Sequence, residues 1–144
     1  MSDSTAIAER WFERTIESYP AETIPFLRDE KDKFRNPAGY ALKENLDTLA
    51  RELMGAMDKS AIEPAIDALV RLRAVQDFNP SEAVQFIFDL RTVIIEVAGS
   101  LSPELESRID EIGLMAIDQF MDCRKQIAGL RSKELRYRAQ CEAR

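Results

Sequence analysis

The sequence predicts an all-α protein, a single helical bundle of five to six helices that ends in a long C-terminal helix. Three observations predict it. Apolar residues recur at three- and four-residue spacing along most of the chain. No stretch alternates with the two-residue period of a strand. The 144 residues include only 5 Gly and 6 Pro, too few to punctuate many hairpins. With 45% apolar and 32% charged residues, the composition is that of a globular chain able to bury one core.

The first helix is expected from about Ser4 to Tyr19. Ala8, Trp11, Phe12, Thr15, Ile16 and Tyr19 share one face, and Pro20 ends the run. "AETIPFL" follows as a short turn or helical piece directing Ile24, Phe26 and Leu27 inward. Asn36-Pro37 reads as a helix start. The Asn side chain accepts an orphan backbone N–H, and Pro fits a first-turn position that needs no donor. Leu42, Leu46, Leu49, Leu53 and Met57 then form the buried stripe. Ser60 with Glu63 predicts a capping box for the next helix, carrying Ile62, Ile66, Leu69 and Val70, with Pro64 in its first turn.

"FNPSE" repeats the device: Asn79 caps, Pro80 leads and Glu82 completes the box. The helix from Pro80 to Ala98 is the most apolar, with one polar stripe of Gln85, Asp89, Thr92 and Glu96, and so is expected at the centre of the domain. Gly99 stops it. Ser102-Pro103 opens the last helix, expected to run about 35 residues or some 50 Å. Its stripe of Leu105, Ile109, Ile112, Ala116, Phe120, Cys123, Ile127 and Leu130 gives way to charges, so its last turns should project. The implied division is a domain over 1–130 and a basic helical extension over 131–144.

Net charge is −6, against general nucleic-acid binding. The charge is uneven: seven basic and two acidic residues between Arg124 and Arg144 give that tail +5 and the preceding 123 residues −11. Arg131, Lys133, Arg136 and Arg138 are therefore candidate contacts for an acidic partner, nucleic acid or a membrane surface, against the plainer reading of a solvated last turn. Cys123 and Cys141 on one helix stand about 27 Å apart and cannot bridge within the chain. Free thiols, no basic-then-apolar leader and no apolar run long enough to span a bilayer point to a cytoplasmic protein.

The absence of histidine removes the commonest general base and metal ligand. No phosphate-binding loop, nucleophile elbow or paired-cysteine motif occurs. Catalysis, metal and cofactor are not expected. Two places remain as candidate contacts. Phe34, Asn36 and Tyr40 lie in the charged stretch "EKDKFRNPAGY", where the helix-start reading competes with a docking patch. Arg91 interrupts the apolar surroundings of Val84, Ile87, Ile95 and Ala98, as a carboxylate-paired or snorkelling guanidinium or as an anion or partner contact.

"FLRDEKDKFRNPAGYALKENLDTL", "NPSEAVQFIFDLRTVI" and the closing "LRSKELRYRA" resemble the N-terminal domain of RsbR-type RsbT co-antagonists, the RsbRD family. Phe34, Asn36, Pro37, Gly39 and Tyr40 match its F-x-N-P-x-G-Y, and Ser81 to Arg91 match its S-E-A-V-x-F-I-F-x-L-R. The resemblance covers nearly the whole chain. It implies a haem-free, globin-like sensor domain of bacterial stress signalling that passes its signal through a terminal helix to a STAS-domain or kinase-type protein. The family's phosphorylated residues lie in the STAS part, so none carries over. With no STAS or kinase domain after Arg144 in this sequence, either a stand-alone regulator or a sensor working through a separate protein is expected, as a homodimer. The alternatives are an accessory scaffold of a redox or membrane-associated complex and a carrier with an apolar cavity.

Overall fold

The computed structural model describes residues 3–76 and 78–142. Arg144, counted above in the basic tail, lies outside them. They form six helices and no strand. The first, α1 (Asp3–Ile16), buries Ile7, Trp11, Phe12 and Ile16. It ends one turn earlier than expected, although Tyr19 still packs inward.

The short α2 (Ile24–Asp29) buries Leu27 alone. Phe26 is 45% exposed, a correction to the expectation that it faces the core. Six residues make under two turns, so only one position points fully inward. α3 (Pro37–Met54) starts at Asn36, whose Oδ1 accepts the Gly39 N–H at 3.0 Å.

The Ser60–Glu63 box is also corrected. Asp58 caps α4 (Lys59–Val75), accepting both the backbone N–H and the hydroxyl of Ser60. The carboxylate two residues earlier is the stronger acceptor and turns Ser60 into a donor. The box at Asn79 and Glu82 forms as expected and opens α5 (Pro80–Ala98). Gly99 closes it at φ +85°, its N–H bonded to Ile95 O.

Packing closes a ring. α1 lies on α3, α3 on α4, α4 on α6 (Pro103–Glu142), α6 on α5, and α5 back on α1. The core fills the middle: Trp11, Leu46, Ile66, Phe86, Ile112 and Phe120 are essentially fully buried. Trp11 Nε1–H donates to Phe86 O at 2.6 Å, joining first helix to fifth.

α6 spans 40 residues, about 60 Å and longer than expected. Its first half is pinned. Arg108 Nη1 donates to Leu53 O and Gly55 O at 2.6 and 2.9 Å, satisfying carbonyls at the end of α3. Arg124 donates to Phe78 O in the α4–α5 connection. From Ala128 to Glu142 every residue is exposed, about four turns of helix with nothing of the body against them. Leu130, at the end of the expected buried stripe, is 68% exposed.

Candidate functional site

The residues singled out by sequence fall in three places. Phe34 in the α2–α3 connection and Tyr40 in the first turn of α3 stand out from the surface, 85% and 46% exposed, with the Lys33 ammonium over both rings. Asn36 between them is 3% exposed. Its Nδ2 lies 3.1 Å from each of Phe26 O, Leu27 O and Glu30 O, so one side chain clips the end of α2 to the start of α3. Arg91 on α5 is ion-paired with Asp110 on α6, the plainer of its two readings. Arg131, Lys133, Arg136 and Arg138 lie on the projecting turns of α6, Arg138 paired with Glu134. Asp110 and Arg131 are about 30 Å apart along α6, so Arg91 and the basic group are separate surfaces.

Sequence reasoning missed Arg73. It is 2% exposed, at the inward end of the α4 stripe. Nη1 donates to Ser18 Oγ at 3.0 Å, and the guanidinium carbon lies 4.5, 5.2 and 5.5 Å from the ring centres of Phe78, Tyr19 and Phe86. Burial lowers its pKa, opposed by Tyr19, Asp89 and Glu82. Aromatic faces and nearby carboxylates together stabilise a cation that would otherwise be costly to bury. The signal was present in Ile62, Ile66, Leu69, Val70 and then Arg73, an arginine in phase with a core stripe.

Beside this cluster lies an open cavity of about 670 Å³, between the α1–α2 turn, the start of α3 and the α4–α5 connection. Tyr19, Phe26, Leu27, Ala38 and Phe78 give it apolar walls. Asn36 also lines it, with its polar atoms engaged. Gln76 and Glu82 stand exposed along it. Tyr19 is 9% exposed, and its hydroxyl is shut from solvent with no partner at hydrogen-bond geometry. Burial raises its pKa; Arg73 and the neighbouring Gln76 side chain work against the rise. A second cavity, of about 740 Å³ between α1 and α3, is lined by Glu9, Arg10, Glu13, Lys43 and Asp47 and is charged.

A third feature is an apolar surface along α5 and α6. Leu114, Ile117 and Met121 are 67%, 40% and 42% exposed at three- and four-residue spacing, offset from the buried stripe of the same helix. The Arg91–Asp110 pair and the approach of Gly113 to Phe88 fix the antiparallel register. That register sets exposed Phe88 alongside Gly113, the residue before Leu114.

Among the described residues no group of three or more His, Cys, Asp or Glu side chains is placed to hold a metal. Among the described residues no helix is long and apolar enough to cross a membrane. Cys123 is buried and Cys141 exposed, both free.

An "Uncharacterized protein" of Archaeoglobus fulgidus is 27% identical over 144 aligned residues, 92% of this chain and 84% of that protein. No solved structure matches the chain. The model of the RsbT co-antagonist protein rsbRD N-terminal domain matches residues 5–135. That match takes in the Asn36 clip, the Arg73 cluster, the apolar α5–α6 face and the first exposed turns of α6, and the chain belongs to that family.

Proposed function

We propose that this chain is a non-catalytic sensory and regulatory module of Rsb-type stress signalling, acting by protein–protein contact and passing its state outward through α6. The observation that carries the reading is the shape of α6 in a member of this family. Its first half is built into the core, and about four further turns stand free of it. A change in packing around the pinned half moves the free half as a lever. The change is a population shift: an input that prefers one arrangement of the ring biases the position of the lever. Its partner is a STAS-domain or kinase-type signalling protein, met by Arg131, Lys133, Arg136 and Arg138.

The module acts as a homodimer. Leu114, Ile117, Met121, Ala128 and Leu135 keep one heptad phase along α6, from the exposed face of the body into the projecting turns. Two copies meeting on this line cover Phe88 and Leu114 and bring their levers together.

Truncation after Leu130 tests the output. The shortened chain keeps its helical circular dichroism per residue and its cooperative melt, and loses partner binding in a pull-down with the STAS or kinase protein. Retained binding defeats the lever. Sedimentation equilibrium tests the dimer: the Leu114→Asp/Ile117→Asp variant sediments as a monomer and the parent as a dimer. A monomeric parent defeats that part.

A further inference from the structure

We infer that the cavity beside Tyr19 is a binding site for an uncharged, mainly apolar small molecule carrying one hydrogen-bond acceptor, such as a ketone or ester carbonyl. The inference deepens the sensory reading by naming the chemistry of its input, and rests on that reading for its biological meaning.

Size and lining set the first requirement. About 670 Å³ bounded by Tyr19, Phe26, Leu27, Ala38 and Phe78 suits a compact apolar body. Charge sets the second. Among the described residues no cationic side chain lines the space, and Glu82, which does, disfavours an anion. A cation is disfavoured from the other side, because the Arg73 guanidinium already lies over the rings of Tyr19 and Phe78. Between a fixed cation and a carboxylate, an uncharged occupant is favoured over either ion.

The buried hydroxyl sets the third. Tyr19 lines the cavity, and its buried O–H meets no partner at full hydrogen-bond geometry, although the exposed Gln76 side chain lies close enough to act on it as one. Buried polar groups are nearly always satisfied, and an orphan one costs stability that a binding partner can recover. Burial holds the phenol protonated, so it offers a hydrogen and calls for an acceptor. Gln76 is the side chain beside it; it is exposed and itself part of the lining, so a ligand acceptor can take its place at the hydroxyl. Of the other polar side chains of the wall, Asn36 is committed to the clip and has no donor to spare, and the Thr23 hydroxyl donates to Pro20 O.

The site also touches the elements that an input must move. Its walls come from the α1–α2 turn, α3 and the α4–α5 connection, and Arg124 of α6 bonds to Phe78 O in that connection. A ligand against Phe78 therefore bears on a residue tied to α6.

The test uses the full chain and the uncharged naphthyl ketone Prodan, whose emission moves to the blue in apolar surroundings. The expected result is saturable one-to-one binding with a blue shift, and weaker binding of the anionic dye anilinonaphthalene sulfonate. Tyr19→Phe weakens Prodan about fivefold, the loss of one hydrogen bond. Ala38→Trp, filling the cavity, abolishes binding. Thr23→Trp fills it from an exposed position and does the same should the first variant unfold. The Leu114→Asp/Ile117→Asp variant binds Prodan like the parent. No saturable binding, parent-like affinity in a folded cavity-filling variant or in Tyr19→Phe, tighter binding of the sulfonate, or loss of binding in the α6 variant overturns the inference. Prodan binding needs no partner and the truncation assay needs no Prodan, so failure of one is separable from failure of the other.

Discussion

Replacing Asn36 with aspartate separates a helix cap from a clip. At an ordinary N-cap the two residues are nearly equivalent, since each offers an oxygen to the first turn. Asn36 uses both ends of its amide. Oδ1 takes the Gly39 N–H, and Nδ2 faces three backbone carbonyls at 3.1 Å. Aspartate keeps the first contact and turns the second into a carboxylate oxygen against three carbonyl oxygens, at a position 3% exposed. Loss of two amide donations costs about 2 kcal/mol. The buried, unpaired charge adds roughly 1–2 kcal/mol after the site relaxes. The sum is about 3–4 kcal/mol, a large part of a typical stability of roughly 5–15 kcal/mol.

Urea unfolding followed by far-UV circular dichroism measures this at neutral pH, with Asn79→Asp as control. Asn79 serves an exposed capping box without a clip, so its variant should change stability by less than about 0.5 kcal/mol. The Asn36→Asp deficit should also narrow as pH falls to about 4. A protonated carboxyl can donate to a carbonyl, and the penalised state is the ionised one. An Asn36→Asp protein within about 1 kcal/mol of the parent at neutral pH would refute the clip.

Gly39→Ala probes the same joint from the other side. A Cβ there would meet Leu27 O at 2.7 Å, so a change that ordinarily favours a helix by up to about 1 kcal/mol should cost about 2 kcal/mol by urea melt. Arg73→Met should be more stable than Arg73→Lys, because methionine removes the buried charge while lysine keeps it and loses the planar fit among three rings; thermal melts rank the two. Tyr19→Phe should raise stability by about 1 kcal/mol, since it deletes a donor that the free protein leaves unmet. The raised phenol pKa favours the folded state below the ordinary tyrosine value of 10.0 and loses that contribution as pH rises above it. Tyr19→Phe should therefore flatten the alkaline limb of the pH–stability curve.

The helix starts were the most legible part of the fold. Asn36-Pro37 and Asn79-Pro80 cap as read, because both signals act within one turn and need no tertiary context. Ser60 was misread for the same local reason: Asp58 competes for the role, and spacing does not rank two acceptors. Phe26 was misplaced because periodicity has no meaning over six residues. Arg91 and Arg73 were open to one argument, an arginine in apolar phase, which was applied to Arg91 alone. Arg91 lies at a helix–helix edge where Asp110 reaches it, whereas Arg73 is deep and held by rings from three elements. Whether such an arginine meets a carboxylate or an aromatic cluster depends on which helices become neighbours. The cavity was illegible for that reason, since its walls come from three separate stretches of chain.

Trp11 is the chain's sole tryptophan, and its indole N–H meets Phe86 O, 75 positions further along the chain. Intrinsic fluorescence therefore watches a single seam. During synthesis the N-terminal segment must wait, incompletely covered, until α5 has left the ribosome, and the emission change on refolding should mark that late docking rather than the formation of local helix.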